Sequence, residues 1–343
     1  MTSLSAPSHN RVHRIGFLLF LGLLAVLLQP FFRWAFLNAS WSGDAETCRA
    51  GAGACWASIR LRLEFLIYGF YPTDLRWRPF TGLIIQGIAL VSIWGVPSIC
   101  KSLSRSYLAV LVAFVLSFWV LAGDGMLLIN VPSRLWTGFS LTVLLAFGGF
   151  VLAFPLGVLL AFGRRFGNDY VAAICGCYIE VMRALPSVVT MFAILVIAPY
   201  LLPAAIGENV FLRILLGFVL AMSAFYAEAL RGAFLTFDNG QIEAAQSLGL
   251  KRLSIHCRII LPQVVILSFP ALMNINLMVF KDTVLILTYG YYELLGAANA
   301  SVNTQEWSSF AMEMFLVVYL VFLGSGMLIS TVGRRIEESL RRV

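Results

Sequence analysis

Apolar positions along the chain gather into eight long runs, near residues 16–37, 79–99, 107–123, 138–162, 171–202, 211–231, 263–287 and 310–332. Each is close to or above the ~20 residues with which an α-helix, rising 1.5 Å per residue, crosses a hydrocarbon core. The pattern predicts an all-α integral membrane protein with about eight transmembrane helices. The runs fall into a region of three (residues 1–135) and a region of five (136–335), followed by a short tail (336–343).

Composition supports the pattern. Hydrophobic residues make up 60% of the 343 and charged residues 12%, against about a quarter charged in a soluble domain, and the mean hydropathy is +0.89. The net charge of +7 does not point to nucleic acid, because the basic residues stand in short clusters between apolar runs, the arrangement that fixes membrane orientation. With the N-terminus inside, Lys101 and Arg105, then Arg164 and Arg165, then Lys251, Arg252 and Arg258, and last Arg334, Arg335, Arg341 and Arg342 all fall on the cytoplasmic side. Both termini are therefore expected in the cytoplasm. Arg60, Arg62, Arg76 and Arg78 lie in a long loop placed outside, where the charge rule is weak; residues 61–71 there can form an interfacial helix. Arg11 and Arg14 precede the first run, which is too long for a cleaved signal core, so an uncleaved anchor is expected. Cys48 and Cys55 share the outer loop, where compartment permits a disulfide and two unpaired thiols are the alternative.

One polar stretch does not belong in a plain bundle. Between the sixth and seventh runs the chain reads from Asn239 through Gly240, Gln241, Ile242, Glu243, Ala244, Ala245, Gln246, Ser247 and Leu248 to Gly249 and Leu250. Residues 243–248 favour a helix, and Gly249 offers the left-handed position that ends one. Lys251 to Ile260 mixes basic and apolar residues, and Pro262 opens the next run, where its missing N–H costs nothing. A short helix, a turn and a basic amphipathic segment just below the membrane make a docking knob, with small alanines for close approach and Glu243 for a partner's cation.

Glu243-Ala244-Ala245, followed by Gly249 and, nine residues on, Ile259-Ile260-Leu261-Pro262, resembles the EAA loop of bacterial ABC importer permeases. The stretches Tyr178–Pro186, Tyr226–Gly232 and Phe280–Leu285 resemble the core helices of the polar amino-acid (histidine, glutamine and general L-amino-acid) branch. The N-terminal stretches 67–72 and 76–78, with 196–203, resemble the general L-amino-acid permeases. Val284, Thr190 and Asp238 depart from the branch pattern. The resemblance implies a five-helix type I permease core preceded by three extra helices. It also implies ATPase coupling through Gly240, Gln241, Glu243, Ala244, Ala245, Gly249, Leu250, Leu261 and Pro262. The implied partners are a cytoplasmic ABC ATPase dimer, a second permease subunit (a paralogue rather than a self-copy) and a periplasmic amino-acid-binding protein in a bacterial inner membrane.

Charges inside the apolar runs are costly and mark either structural pairs or a path. Glu180 with Arg183, and Glu228 with Arg231, are spaced i, i+3 and suited to pairing. Lys281 and Asp282 point about 100° apart on a helix and do not pair; with Thr283 they are candidates for the translocation path, since an amino acid carries both signs of charge. Pro186, Pro199 and Pro203 mark possible broken helix ends beside a cavity. None of the three lysines follows glycine, so no phosphate-cradling loop is present, and His9, His13 and His256 are too scattered for a metal site. The chain is thus expected to carry no cofactor and to be no enzyme, with ATP and magnesium on the partner ATPase. The alternative is an ion-driven transporter or channel, which would have no docking helix.

Overall fold

The computed structural model describes residues 7–95, 103–238 and 240–341. Cys100, Lys101, Asn239 and Arg342 lie outside the described residues, as do the side chains of His9, Arg11 and His13. The described residues are helical and hold no strand. In chain order α1 (Pro7–Phe32) runs into a π-turn at Arg33–Leu37, and α2 (Ala45–Ala50), α3 (Trp56–Tyr68) and α4 (Trp77–Gly95) follow. Then come α5 (Leu103–Ala122), α6 (Phe139–Phe166), α7 (Asp169–Ala184), α8 (Ser187–Leu201), the one-turn α9 (Ala204–Gly207) and α10 (Val210–Thr236). The chain ends with α11 (Gly240–Ser247), α12 (Arg252–Ile255), α13 (Leu261–Asp282), α14 (Leu294–Val302) and α15 (Ala311–Arg341). Helix starts carry their expected acceptors: Asp44, Asn168 and Asn209 cap α2, α7 and α10 through their side chains, taking up backbone N–H groups that have no partner within the helix.

Among the described residues, six stretches are long and apolar enough to cross a membrane: Gly16–Leu37, Ser104–Ala122, Phe139–Phe166, Val210–Thr236, Arg252–Tyr289 and Ser308–Ser339. The expected fifth run, 171–202, is not one helix but α7 and α8, bent by 109° at Leu185–Pro186, and makes a seventh if the pair is one span. The second run becomes α4, described as far as Gly95, and the rest of that run lies outside the described residues; Arg78 and Gln86 on this helix are buried. Arg78 donates to the Ile129 carbonyl at 2.6 Å.

The chain divides into two compact units. One joins the described residues up to Leu63 with Asn299–Val317. Cys48 and Cys55 are bonded there, with a Cα–Cα distance of 5.5 Å, and bury together with Trp307 and Phe310. Glu313 accepts from the Cys55 N–H at 2.8 Å, and Arg49 donates to the Glu306 carbonyl at 2.6 Å.

The other unit, Glu64–Ala298 with Val318–Val343, holds the main core. Its centre is the α6–α10 pair, which touch where α6 is glycine. A Cβ on Gly157 would lie 2.5 Å from Tyr226 Cβ, and one on Gly148 would lie 2.9 Å from a Leu215 methyl. Lipid tails are as apolar as leucine, so helices associate in a membrane by such close packing rather than by escape from water. α13 crosses the same pair, with Val279 against Gly149 and Asn276 accepting from the Tyr226 hydroxyl.

A projecting knob and two facing helix breaks

At one end of this unit α11 stands out from the bundle. Asp238 accepts from the Gly240 N–H at 2.9 Å and so opens the helix. Gly249, at φ +72°, closes it. The Leu250 N–H reaches the Ala245 carbonyl at 3.2 Å and the Gly249 N–H reaches that of Gln246 at 2.9 Å, the paired bonds of a Schellman turn. Ala245 is buried and anchors the helix, with Ile255 and Ile260, in the main core. Gln263 donates to the Gln241 side chain at 2.9 Å and ties the knob to α13. Glu243 and Ala244 face outward. Beside them Leu248, Leu250 and Leu253 are 80%, 43% and 73% exposed, and Lys251 and Arg252 are exposed as well. The surface is apolar, rimmed by charge of both signs and rigidly held.

After α11 the chain follows α12 into α13 through a π-turn at His256–Ile260. Pro262 therefore sits in the first turn of α13 within a continuing helical path rather than after a clean break; a π-turn absorbs the donor that proline lacks. Leu261 is partly buried against the core.

Charges collect near the same end on α6, α7 and α10. Glu180 and Arg183 do not pair with each other as their spacing suggested. Glu180 takes Arg164 of α6 at 2.8 Å, and Arg183 takes Glu228 of α10 at 3.1 Å, because α7 packs against both of those helices, which offer longer-range partners. Glu228 also holds Arg231 at 2.5 Å, so one carboxylate, about one-fifth exposed, carries two guanidinium groups. This network locks the ends of three helices together.

The remaining path candidates sit where two helices break. The Asp282 carboxylate, half-buried at the end of α13, faces the Ser187 hydroxyl at the start of α8. Beyond it the α-helix tightens into a 3₁₀ segment, Thr283–Tyr289, and the Tyr289 hydroxyl donates to the Val188 carbonyl at 2.7 Å. The α8 N–H groups of Ser187 and Val188 belong to the first turn, which has no carbonyl partners within the helix. The Thr190 hydroxyl, one turn on, is buried without a partner. Lys281 turns to the exposed side. Thr283 is fully buried and donates to the Phe280 carbonyl at 2.8 Å, so it supports the break and does not face a path. Of the three prolines, Pro186 caps α8 and Pro203 caps α9, whereas Pro199 lies within α8. Ser187 and Arg164 were not foreseen; a serine after Pro186, at a helix start, was the available signal for the first.

Residues 153–342 match the family of binding-protein-dependent transport system inner membrane components. The chain belongs to that family. Among relatives, this permease is 33% identical over 88% of its length to an inner membrane amino-acid ABC transporter permease protein, YhdY of Escherichia coli, covering 82% of that protein. It is 28% identical over 94% of its length to BztC of Rhodobacter capsulatus, a glutamate/glutamine/aspartate/asparagine transport system permease protein, covering 89% of it. A solved amino acid ABC transporter with histidines superposes on 59% of the permease and 90% of that chain, with 22% identity and a TM-score of 0.48. The permease is thus a multi-pass membrane subunit of an ABC importer, which works with an ATPase and a binding protein. Its family favours the ATP-driven reading over an ion-driven one.

Proposed function

We propose that this permease moves L-amino acids of broad specificity inward, as one of two paralogous permease subunits, with its termini in the cytoplasm. The observation that carries the reading is the projecting α11 with its Schellman turn, a rigid handle of apolar and charged groups on which an ATPase can act. Gly240, Gln241, Glu243, Ala244, Ala245, Gly249 and Leu250, with Leu261 and Pro262 behind them, form the coupling element. Residues 136–335 are the permease proper, 1–135 an N-terminal region with its own role, and 336–343 a tail. ATP and magnesium belong to the partner pair.

The amino-acid reading draws support from the relatives' names and from the facing breaks. A substrate carboxylate suits the first-turn N–H groups of α8, where the helix dipole favours negative charge, and its ammonium suits Asp282. Lys281 stands beside them to balance charge as the path changes access. Such a device needs two states that bind the ATPase pair differently, and a bend of 109° between α7 and α8 is the place where a small rotation opens or closes a path.

The test is reconstitution of the permease with its co-purified ATPase and binding protein in liposomes, followed by ATP-driven uptake of a panel of labelled amino acids. Uptake of several amino acids that ceases without ATP is the expected result. Uptake driven by an ion gradient without ATP, or none for any amino acid, would refute the reading.

A further inference from the structure

A cavity of about 300 Å³ lies among α4, α5, α6, α13 and α15, and its lining includes neither Asp282 nor Ser187. On α6 the lining positions run from Phe139 to Phe154 at successive spacings of 4, 3, 1, 3 and 4 residues, and α13 repeats those spacings from Val265 to Phe280. Each set is one face of a helix, some 22 Å long at 1.5 Å per residue. The void is therefore a slot along two membrane-spanning helices, roofed by Leu328, Ile329 and Val332 of α15.

Among the described residues, no charged side chain lines the slot. Its polar residues are uncharged: the Tyr107 hydroxyl donates to the Val151 carbonyl at 2.6 Å, Asn276 accepts from Tyr226, and Ser106 and Ser325 add one hydroxyl each. Nothing there answers an ammonium or a carboxylate, so an amino acid has no reason to enter. Water has little more, since apolar cavities of about half this volume stay dry and take up hydrocarbons such as benzene. A slot bordered by five helices admits a narrow, flexible hydrocarbon chain more readily than a helix roughly 10–12 Å across.

The end of the slot nearest α11 is basic. Arg105 precedes the lining residue Ser106, and Arg334 and Arg335 stand between Val332 and Ile336, which also line it. All three arginines are exposed, and guanidinium groups pair with phosphate in bidentate geometry. We propose that the slot holds one acyl chain of a glycerophospholipid whose phosphate rests against Arg105, Arg334 and Arg335. The lipid fills what would otherwise be a void between α6 and α13 and fastens α15 to them, independently of which amino acid the transporter carries.

The assembled transporter, reconstituted with phosphatidylglycerol bearing a photoreactive diazirine in one acyl chain, tests this. Labelling should concentrate on residues 139–154 and 265–280 and fall at least fivefold in the slot-filling variant Ala146→Phe. Ser325→Leu serves where that variant does not assemble, and ATPase activity of the complex reports assembly in each. Replacing Arg105 and Arg335 by glutamine should cut phosphatidylglycerol labelling severalfold and leave labelling by a diazirine fatty acid unchanged. Labelling confined to outward faces of the helices, or undiminished in an assembled slot-filling variant, would overturn the proposal. So would crosslinks from the slot to another protein instead of to lipid.

Discussion

Asp282 and Ser187 meet across two helix ends, so changes at either should tell on substrate before they tell on fold. A hydrogen bond to a charged group contributes about 1.5–3 kcal/mol, so Asp282→Asn is expected to weaken apparent affinity for amino acids roughly 10- to 100-fold. Ser187→Ala should do the same to a smaller degree. Uptake kinetics in proteoliposomes, with membrane abundance as the control, decide it; unchanged kinetics in both variants would remove Asp282 from the path. Glu293 poses a different question. It lies fully buried before α14, accepting from the Gly296 N–H at 3.0 Å and facing the Thr142 hydroxyl of α6. Burial pushes its carboxyl up to about 7. An acid whose folded pKa is raised holds its proton longer in the folded state, so stability falls as pH rises from about 4.5 towards 7. At 1.36 kcal/mol per unit the effect is on the order of 3 kcal/mol. The purified permease should therefore melt at a higher temperature at pH 5 than at pH 8, and Glu293→Gln should flatten that difference. A melting temperature equally pH-dependent in the variant would assign the effect elsewhere.

At the scale of the element, α11 shows what sequence can and cannot disclose. Its end was legible at Gly249 because the left-handed position leaves an L side chain strained by about 1–2 kcal/mol. Gly249→Val is expected to fray the turn, lower recovery of the ATPase with the permease severalfold and reduce uptake in step, measured by affinity purification from membranes. Full recovery with full uptake would mean that the turn is dispensable. The ion pairs were less legible. Spacing along one helix suggested Glu180 with Arg183, but α7 packs against both α6 and α10, and partners on those helices took both charges. Likewise the 171–202 run reads as one apolar stretch, since hydropathy does not register a 109° turn. Only Pro186 hinted at it, and Pro199 in the same run kinks nothing into a break.

Across the whole molecule the membrane class was plain from composition and run length, because lipid leaves few solutions besides the helix for satisfying backbone groups. The number of spans was less plain, because the single apolar run 171–202 proves to be two helices meeting at a sharp bend. The disulfide-bonded unit drew on segments far apart in sequence, Cys48–Cys55 with Trp307 and Phe310, and no local pattern announces such a meeting. Orientation is open to a direct check. In a variant without native free thiols, Leu248→Cys should react with a membrane-impermeant maleimide in inside-out vesicles and not in right-side-out ones. Reaction in right-side-out vesicles would place α11 on the wrong face for an ATPase.

Leu248, Leu250 and Leu253 have a cellular consequence when the permease is made in excess of its motor. Three bare leucines on a stiff stalk are the sort of greasy signal that quality-control proteases and chaperones seize. Orphan copies should be short-lived, and the ATPase should act as their chaperone by covering them, so the supply of the soluble subunit sets how much permease the membrane keeps.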